Sequence, residues 1–182
     1  MKVVVGVTGA SGAPYALALL RNLDPVHVEL VISEDGKKVI EHEADVPVTA
    51  FEELADATYA NDDLGAPPAS GSHRFDAMVV IPCSMGTLGK IAWGISDNLI
   101  TRAAAVCLKE RRKLILVPRE TPLAASHIEN MLRLANQGVV VLPAMPGFYH
   151  GPKSVDDLVN FVVGKVLDQL GLEHKLFRRW GE

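Results

Sequence analysis

The chain opens with an apolar, β-branched run, Lys2 to Thr8, that breaks at once into Gly9-Ala10-Ser11-Gly12. A short run of this kind fits a strand buried on both faces, and such strands belong to parallel sheets covered by helices. The pattern then repeats. Pro14 to Leu23 predicts a helix with proline in its first turn, His27 to Ser33 a second strand, and Gly36 to Glu43 a shorter helix. Further strands are predicted at Ala77 to Ile81, Leu114 to Val117 and Val139 to Leu142. Helices are predicted over Asn98 to Glu110, over Ala124 to Asn136 with Gly138 as its stop signal, and from an N-cap at Ser154 to Leu170. Asp45 to Arg74 carries Pro47, Pro67, Pro68 and Ala69-Ser70-Gly71-Ser72, and reads as irregular. Glu173 to Glu182 reads as a polar tail holding Trp180.

Strands alternating with helices predict a Rossmann-like α/β fold, a three-layer α/β/α sandwich around a parallel sheet of about six strands. The 182 residues fit one domain over 1–182. A chain of this size buries about 70% of its unfolded surface and needs neither disulfide nor metal to fold. The net charge of −4 argues against a broad nucleic-acid surface, which needs clustered Lys and Arg. Cys83 and Cys107 form no C-x-x-C pair, and no Cys/His cluster has zinc spacing, so a reduced cytoplasmic compartment is expected. The first apolar run is too short for a signal peptide or a membrane span.

In a parallel sheet of this type the ligand sits beyond the C-terminal ends of the strands. Thr8-Gly9-Ala10-Ser11-Gly12 lies at such an end. Its small residues let backbone approach an anion, and the helix that follows offers N–H groups and a partial positive charge. The dinucleotide fingerprint G-x-G-x-x-G would need glycine where Val7 stands, and strand two closes on Ser33. NAD is therefore disfavoured, and a phosphate-bearing mononucleotide such as FMN is favoured. A tight structural turn is the other reading of the same residues.

Three more loops fall at the same edge. In Pro82-Cys83-Ser84-Met85-Gly86-Thr87-Leu88, Ser84 and Thr87 can hydrogen-bond a flavin or its ribityl chain. Cys83 has no neighbouring His to activate it and reads as a small buried hydrophobe. In Val117-Pro118-Arg119-Glu120, the guanidinium can grip a phosphate and the carboxylate can accept a proton, with a surface ion pair as the plainer reading. Pro143 to His150 presents Tyr149, whose hydroxyl can bind a phosphate oxygen, while the histidines read as surface or structural. Arg102, Lys109 and Lys165 fall on predicted helices and, by pattern alone, read as solvated faces.

Together these motifs resemble the flavin prenyltransferase (UbiX) family. The matching segments are VTGASG (7–12), APPASGS (66–72), PCSMGTL (82–88), DNLITRAAAVCLKERRKLILVPRETP (97–122), HIENMLRLANQG (127–138), LPAMPGFYH (142–150), SVDDLVNFVVGKVLDQLG (154–171) and RWG (179–181). The resemblance implies an FMN-binding homo-oligomer, commonly a dodecamer. It would join dimethylallyl phosphate to reduced FMN and pass the prenylated FMN to a UbiD-type decarboxylase, with no nucleic acid and no membrane involved. Carried onto this sequence, it implies FMN contacts at Gly9, Ala10, Ser11, Ser33, Ser84, Met85, Gly86, Thr87 and Arg119. It implies donor contacts at Tyr149 and Lys165, added positive charge from Arg102 and Lys109, and a closing role for Trp180. Glu43 and Glu120 would handle protons, with Ser11 beside them and Lys109 helping the phosphate depart. No metal is expected, because basic side chains can stabilise the departing phosphate and no D-D-x-x-D motif is present. Many bacterial members carry Trp where this chain has Leu64, so the wall around the allylic group is expected to differ.

Two other functions use a related fold. A flavin-dependent cysteine decarboxylase needs a catalytic His and a P-A-M-N loop, whereas this loop reads Pro143-Ala144-Met145-Pro146. A non-catalytic FMN-binding subunit would leave Glu43 and Glu120 idle.

Overall fold

Side chains alternate across a strand, so a strand buried on both faces feeds two separate cores. The computed structural model describes residues 1–181, and Glu182 at the end of the predicted tail lies outside the described residues. In it, β1 (Lys2–Val7) sends Val3, Val5 and Val7 into one core and Val4 into the other. β4 (Ala77–Cys83) divides in the same way, with Val79 and Ile81 on the first side and Met78 and Val80 on the second. The first core is closed by α1 (Ala13–Arg21), α2 (Glu34–Glu43) and α7 (Val155–Leu170), through residues such as Leu19, Ile40 and Val166. The second is closed by α4 (Met85–Ala92), α5 (Leu99–Glu110) and α6 (Ala125–Ala135), through Leu88, Ala103 and Leu134. These are the three layers the sequence predicts.

The remaining strands are β2 (His27–Ile32), β3 (Ala57–Ala60), β5 (Lys113–Pro118) and β6 (Val140–Val141). All six pair in parallel in the order β3-β2-β1-β4-β5-β6. The order reverses between β1 and β4, which opens a crevice at their C-terminal ends.

Two elements escape the sequence reading. β3 falls inside the stretch read as irregular, because its four residues alternate between half-buried and exposed at the sheet edge. Near it, Thr49–Glu52 forms a single turn, α3, that buries Phe51. α4 replaces part of a predicted loop. Its two glycines, Gly86 and Gly89, mask a helix that Ser84 caps by accepting from the Thr87 N–H at 3.2 Å. Likewise α2 begins two residues before Gly36, because the Ser33 hydroxyl caps it from the Gly36 N–H at 3.0 Å.

The crevice is stitched shut at its base by one buried hydroxyl. Thr8 is 2% exposed. Its Oγ1 donates to the Pro82 carbonyl at 2.8 Å and accepts the Ser84 N–H at 2.7 Å. The Thr8→Val substitution keeps the shape but leaves the Ser84 N–H without its acceptor, at a cost of about 1–3 kcal/mol. Urea unfolding should show a lower midpoint at unchanged slope, and an unaltered midpoint would mean the stitch adds nothing.

Candidate functional site

The loop after β1 is shaped from below by a carboxylate. Glu43, at the last turn of α2, turns its Oε2 to the Gly12 N–H at 2.7 Å and the Ala13 N–H at 3.1 Å. Pro14 has no N–H, and the Tyr15 N–H turns back to the Gly12 carbonyl at 3.0 Å. The N-terminus of α1 is therefore fully occupied. This corrects the expectation that its N–H groups receive a phosphate. Partial burial pushes the Glu43 carboxyl up, but the Ser11 hydroxyl, the Gly12 and Ala13 N–H groups and Arg119 outweigh it. The carboxyl thus lies below its ordinary value and stays ionised near neutrality.

The open donors lie elsewhere in the crevice. Among the described residues, the N–H groups of Gly9, Ala10 and Ser11 have no hydrogen-bond partner, nor do those of Met85 and Gly86 in the first turn of α4. Nothing lies within 4 Å of where a Cβ on Gly86 would stand, so its backbone is bare. Gly9 is closed on its other side, where a Cβ would come within 2.5 Å of Asp35 Cβ. Ser84 and Thr87 share a hydrogen bond of 3.0 Å between their hydroxyls, and Met85 is buried beneath them. Ser33 sits at the end of the neighbouring strand, tied to β1 by its N–H to the Val7 carbonyl at 2.9 Å.

Arg119 and Glu120 follow β5 and do not pair with each other. Arg119 Nε donates to the Ser11 carbonyl at 3.0 Å, which brings the guanidinium against the loop after β1. Glu120 is exposed and accepts the Thr121 N–H at 3.1 Å. Bare backbone N–H groups, two hydroxyls and a guanidinium make a donor set suited to the phosphate and ribityl chain of FMN. Cys83 is no part of it, since burial removes all its exposure and pushes its thiol up to about 12.

The remaining sequence-selected residues lie in two other parts of the fold. Tyr149 lies in the loop before α7, with its ring edge-on to Trp180 at 5.2 Å and to Phe161 at 5.7 Å. Trp180 is 81% exposed on its far side. Lys165, on α7, pairs with Asp168 at 3.3 Å while its side chain stays 45% exposed. Arg102 Nε donates to the Ala69 carbonyl at 3.0 Å, and Lys109 pairs with Glu110 above Gly71. Both therefore stand on the APPASGS loop, downstream of the exposed Leu64. Among the described residues no hydrogen bond, ion pair or ring contact joins these two groups to the β1–β4 crevice. His150, read as surface or structural, stacks on Phe161 at 5.1 Å with both ring nitrogens buried and without a partner.

Sequence reasoning named Thr8 only as the start of its loop, missing its link to the start of α4, and overlooked Asp168. A polar residue closing an apolar strand is the signal for the first. The i,i+3 spacing from Lys165 is the signal for the second. Among the described residues no cluster of three or more His, Cys, Asp or Glu could hold a metal ion, and no helix is long and apolar enough to cross a membrane.

Because its folded carboxyl is depressed, Glu43 adds stability above the unfolded carboxyl range of about 4.3 and loses it as pH falls through the lower folded value. The melting temperatures of wild type and Glu43→Gln should differ at neutral pH and converge as the pH drops below about 4. A gap that stays constant would show that the Glu43 charge is not what ties α2 to α1.

The family pattern described as Flavoprotein matches residues 1–167. A curated flavin prenyltransferase UbiX of Thermoplasma acidophilum is 55% identical over 180 residues, covering 99% of this chain and 100% of that protein. Among solved structures, a dodecameric FMN-dependent UbiX-like decarboxylase from Escherichia coli O157:H7 superposes with a TM-score of 0.97 at 50% identity, covering all of both chains. AnUbiX (PadA1), solved in complex with FMN and dimethylallyl pyrophosphate, does so with a TM-score of 0.95 at 43% identity, covering 100% of this chain and 97% of that one. Identity at this level, sustained from one end to the other on the same fold, means that the chain belongs to the flavin prenyltransferase (UbiX) family.

Proposed function

We propose that this chain is a single flavoprotein domain over 1–182 that joins a dimethylallyl group to N5 and C6 of reduced FMN. The observation that carries this reading is the full-length likeness to a protein solved with both FMN and a dimethylallyl donor. The enzyme is a prenyltransferase, and FMN is its flavin. The donor is read as dimethylallyl phosphate, and the product as prenylated FMN destined for a UbiD-type decarboxylase in the cytoplasm.

Each residue has a physical reason for its proposed part. Gly9, Ala10, Ser11, Met85 and Gly86 offer bare N–H groups, and Arg119 offers charge, to the FMN phosphate. Ser33, Ser84 and Thr87 offer hydroxyls to the ribityl chain and ring. Reduced FMN supplies the nucleophilic N5 and the ring carbon C6. Tyr149 and Lys165 hold the donor's phosphate, and Arg102 and Lys109 add the positive charge that stabilises it as it departs. Trp180, edge-on to Tyr149, is placed to close that end of the site. Glu120, exposed at the end of β5, accepts the proton that C6 gives up as the ring closes, while the prenyl double bond takes up a proton at its other carbon. Glu43 holds Ser11 and the loop in place and, with Ser11, is the second group proposed to handle protons.

Within one chain, Arg102 and Lys109 reach the APPASGS loop from α5, whereas Tyr149 lies in the loop before α7 and Lys165 on α7. A homo-oligomer, proposed to be a dodecamer like the E. coli neighbour, is the means of bringing such groups together. Exposed Trp93, Ile95, Ile128 and Leu132 supply apolar area for such contacts.

Anaerobic incubation with reduced FMN and dimethylallyl phosphate should yield an extracted flavin heavier by one dimethylallyl unit. Glu120→Gln should bind FMN normally and slow this conversion by about 10²–10⁴-fold, the usual contribution of a general base. Recovery of unmodified FMN alone from wild type would overturn the reading. Full turnover by Glu120→Gln would remove Glu120 from the chemistry.

A further inference from the structure

One carboxylate on α7 holds Lys165, an expected donor contact, together with two residues of the C-terminal tail. Asp168 lies one turn after Lys165 and accepts from its Nζ at 3.3 Å. It also accepts a fork from Arg179, at 2.8 Å from Nη2 and 3.3 Å from Nη1. His174 Nε2 stands 3.2 Å from the same carboxylate. The ring's Nδ1 accepts the Leu176 N–H at 3.2 Å, which turns Nε2 toward Asp168 and Arg179. Gly164 lets the tail lie flat on α7, since a Cβ there would come within 2.5 Å of Phe177 Cε1 and 2.6 Å of His174 Cε1. The residue after Arg179 is Trp180, whose ring meets Tyr149.

We propose that Asp168 is a positioning residue for the prenyl donor: it clasps the C-terminal tail to α7, seats Trp180 against Tyr149, and holds Lys165 beside them. This rests on the reading of Tyr149 and Lys165 as donor contacts. The unequal bonds give the clasp a working order. Arg179 and His174 are fixed to the tail, whereas Lys165 makes a single 3.3 Å contact and has a side chain 45% exposed. An arriving phosphate draws Lys165 away, and Asp168 keeps its other two partners, so no charge is stranded. Arg179, with Lys165 assisting, holds the Asp168 carboxyl down at about 2 against the upward push of partial burial. The clasp is therefore ionised throughout any working pH.

The test is steady-state kinetics on the full-length protein with reduced FMN. Asp168→Asn should raise the KM for dimethylallyl phosphate by roughly tenfold or more, as expected for losing hydrogen bonds to charged groups, while FMN affinity stays at wild type. Asp168→Glu should recover part of the loss. Combined with Lys165→Met, the fold-changes should fall short of their product, because Asp168 acts in part through Lys165. Arg179→Gln, which leaves α7 intact, should raise the same KM and guards against an Asp168 variant that fails to fold. A wild-type KM in Asp168→Asn, or effects that multiply as independent, would overturn the proposal. An unchanged KM in Lys165→Met, in an enzyme that turns over, would instead overturn the donor-site reading on which it stands.

Discussion

The hydroxyl of Thr8 is the point on which the site depends. Strand order reverses between β1 and β4, and any α/β sheet of this kind leaves a crevice at such a place. What the crevice can bind is decided by how its two walls are held. Thr8 accepts from the backbone of one wall and donates to it two residues earlier, so the loop after β1 and the start of α4 move as one body. Arg119 adds the third wall by reaching from β5 to the Ser11 carbonyl. The bare N–H groups of Gly9, Ala10, Ser11, Met85 and Gly86 thereby acquire fixed positions.

A second constraint runs the other way. Glu43 fills the N-terminus of α1, the place where a phosphate would ordinarily be sought. The carboxylate cannot share those N–H groups with another anion. The open donors are consequently displaced to the loop itself and to α4, with Arg119 balancing the negative charge of Glu43 nearby. The α7 cluster follows a similar logic, where Asp168 draws Lys165, His174 and Arg179 to one carboxylate.

The fold was largely legible because its strands are continuous β-branched runs, which admit few alternatives. β3 was hidden by its length and edge position, and α4 by its glycines. The loop after β1 was legible as small residues at a strand end, open to an anion, and Arg119 as a cation at a strand end. The capture of α1 by Glu43 was not, because it joins residues that lie thirty-one positions apart and no local pattern links them. Arg102, Lys109 and Lys165 show what pattern alone leaves open about a charge. Each sits on a helix where a solvated lysine or arginine would look the same, and only its neighbours in space, the Ala69 carbonyl, Glu110 and Asp168, distinguish it.

Whether the crevice is a phosphate seat is best decided by comparing FMN with riboflavin, which lacks only the phosphate. Titration followed by flavin fluorescence should show FMN binding roughly tenfold to a hundredfold more tightly, the equivalent of one or two hydrogen bonds to a charged group. Equal affinity for the two flavins would contradict the assignment of the β1–β4 crevice and Arg119 to the phosphate.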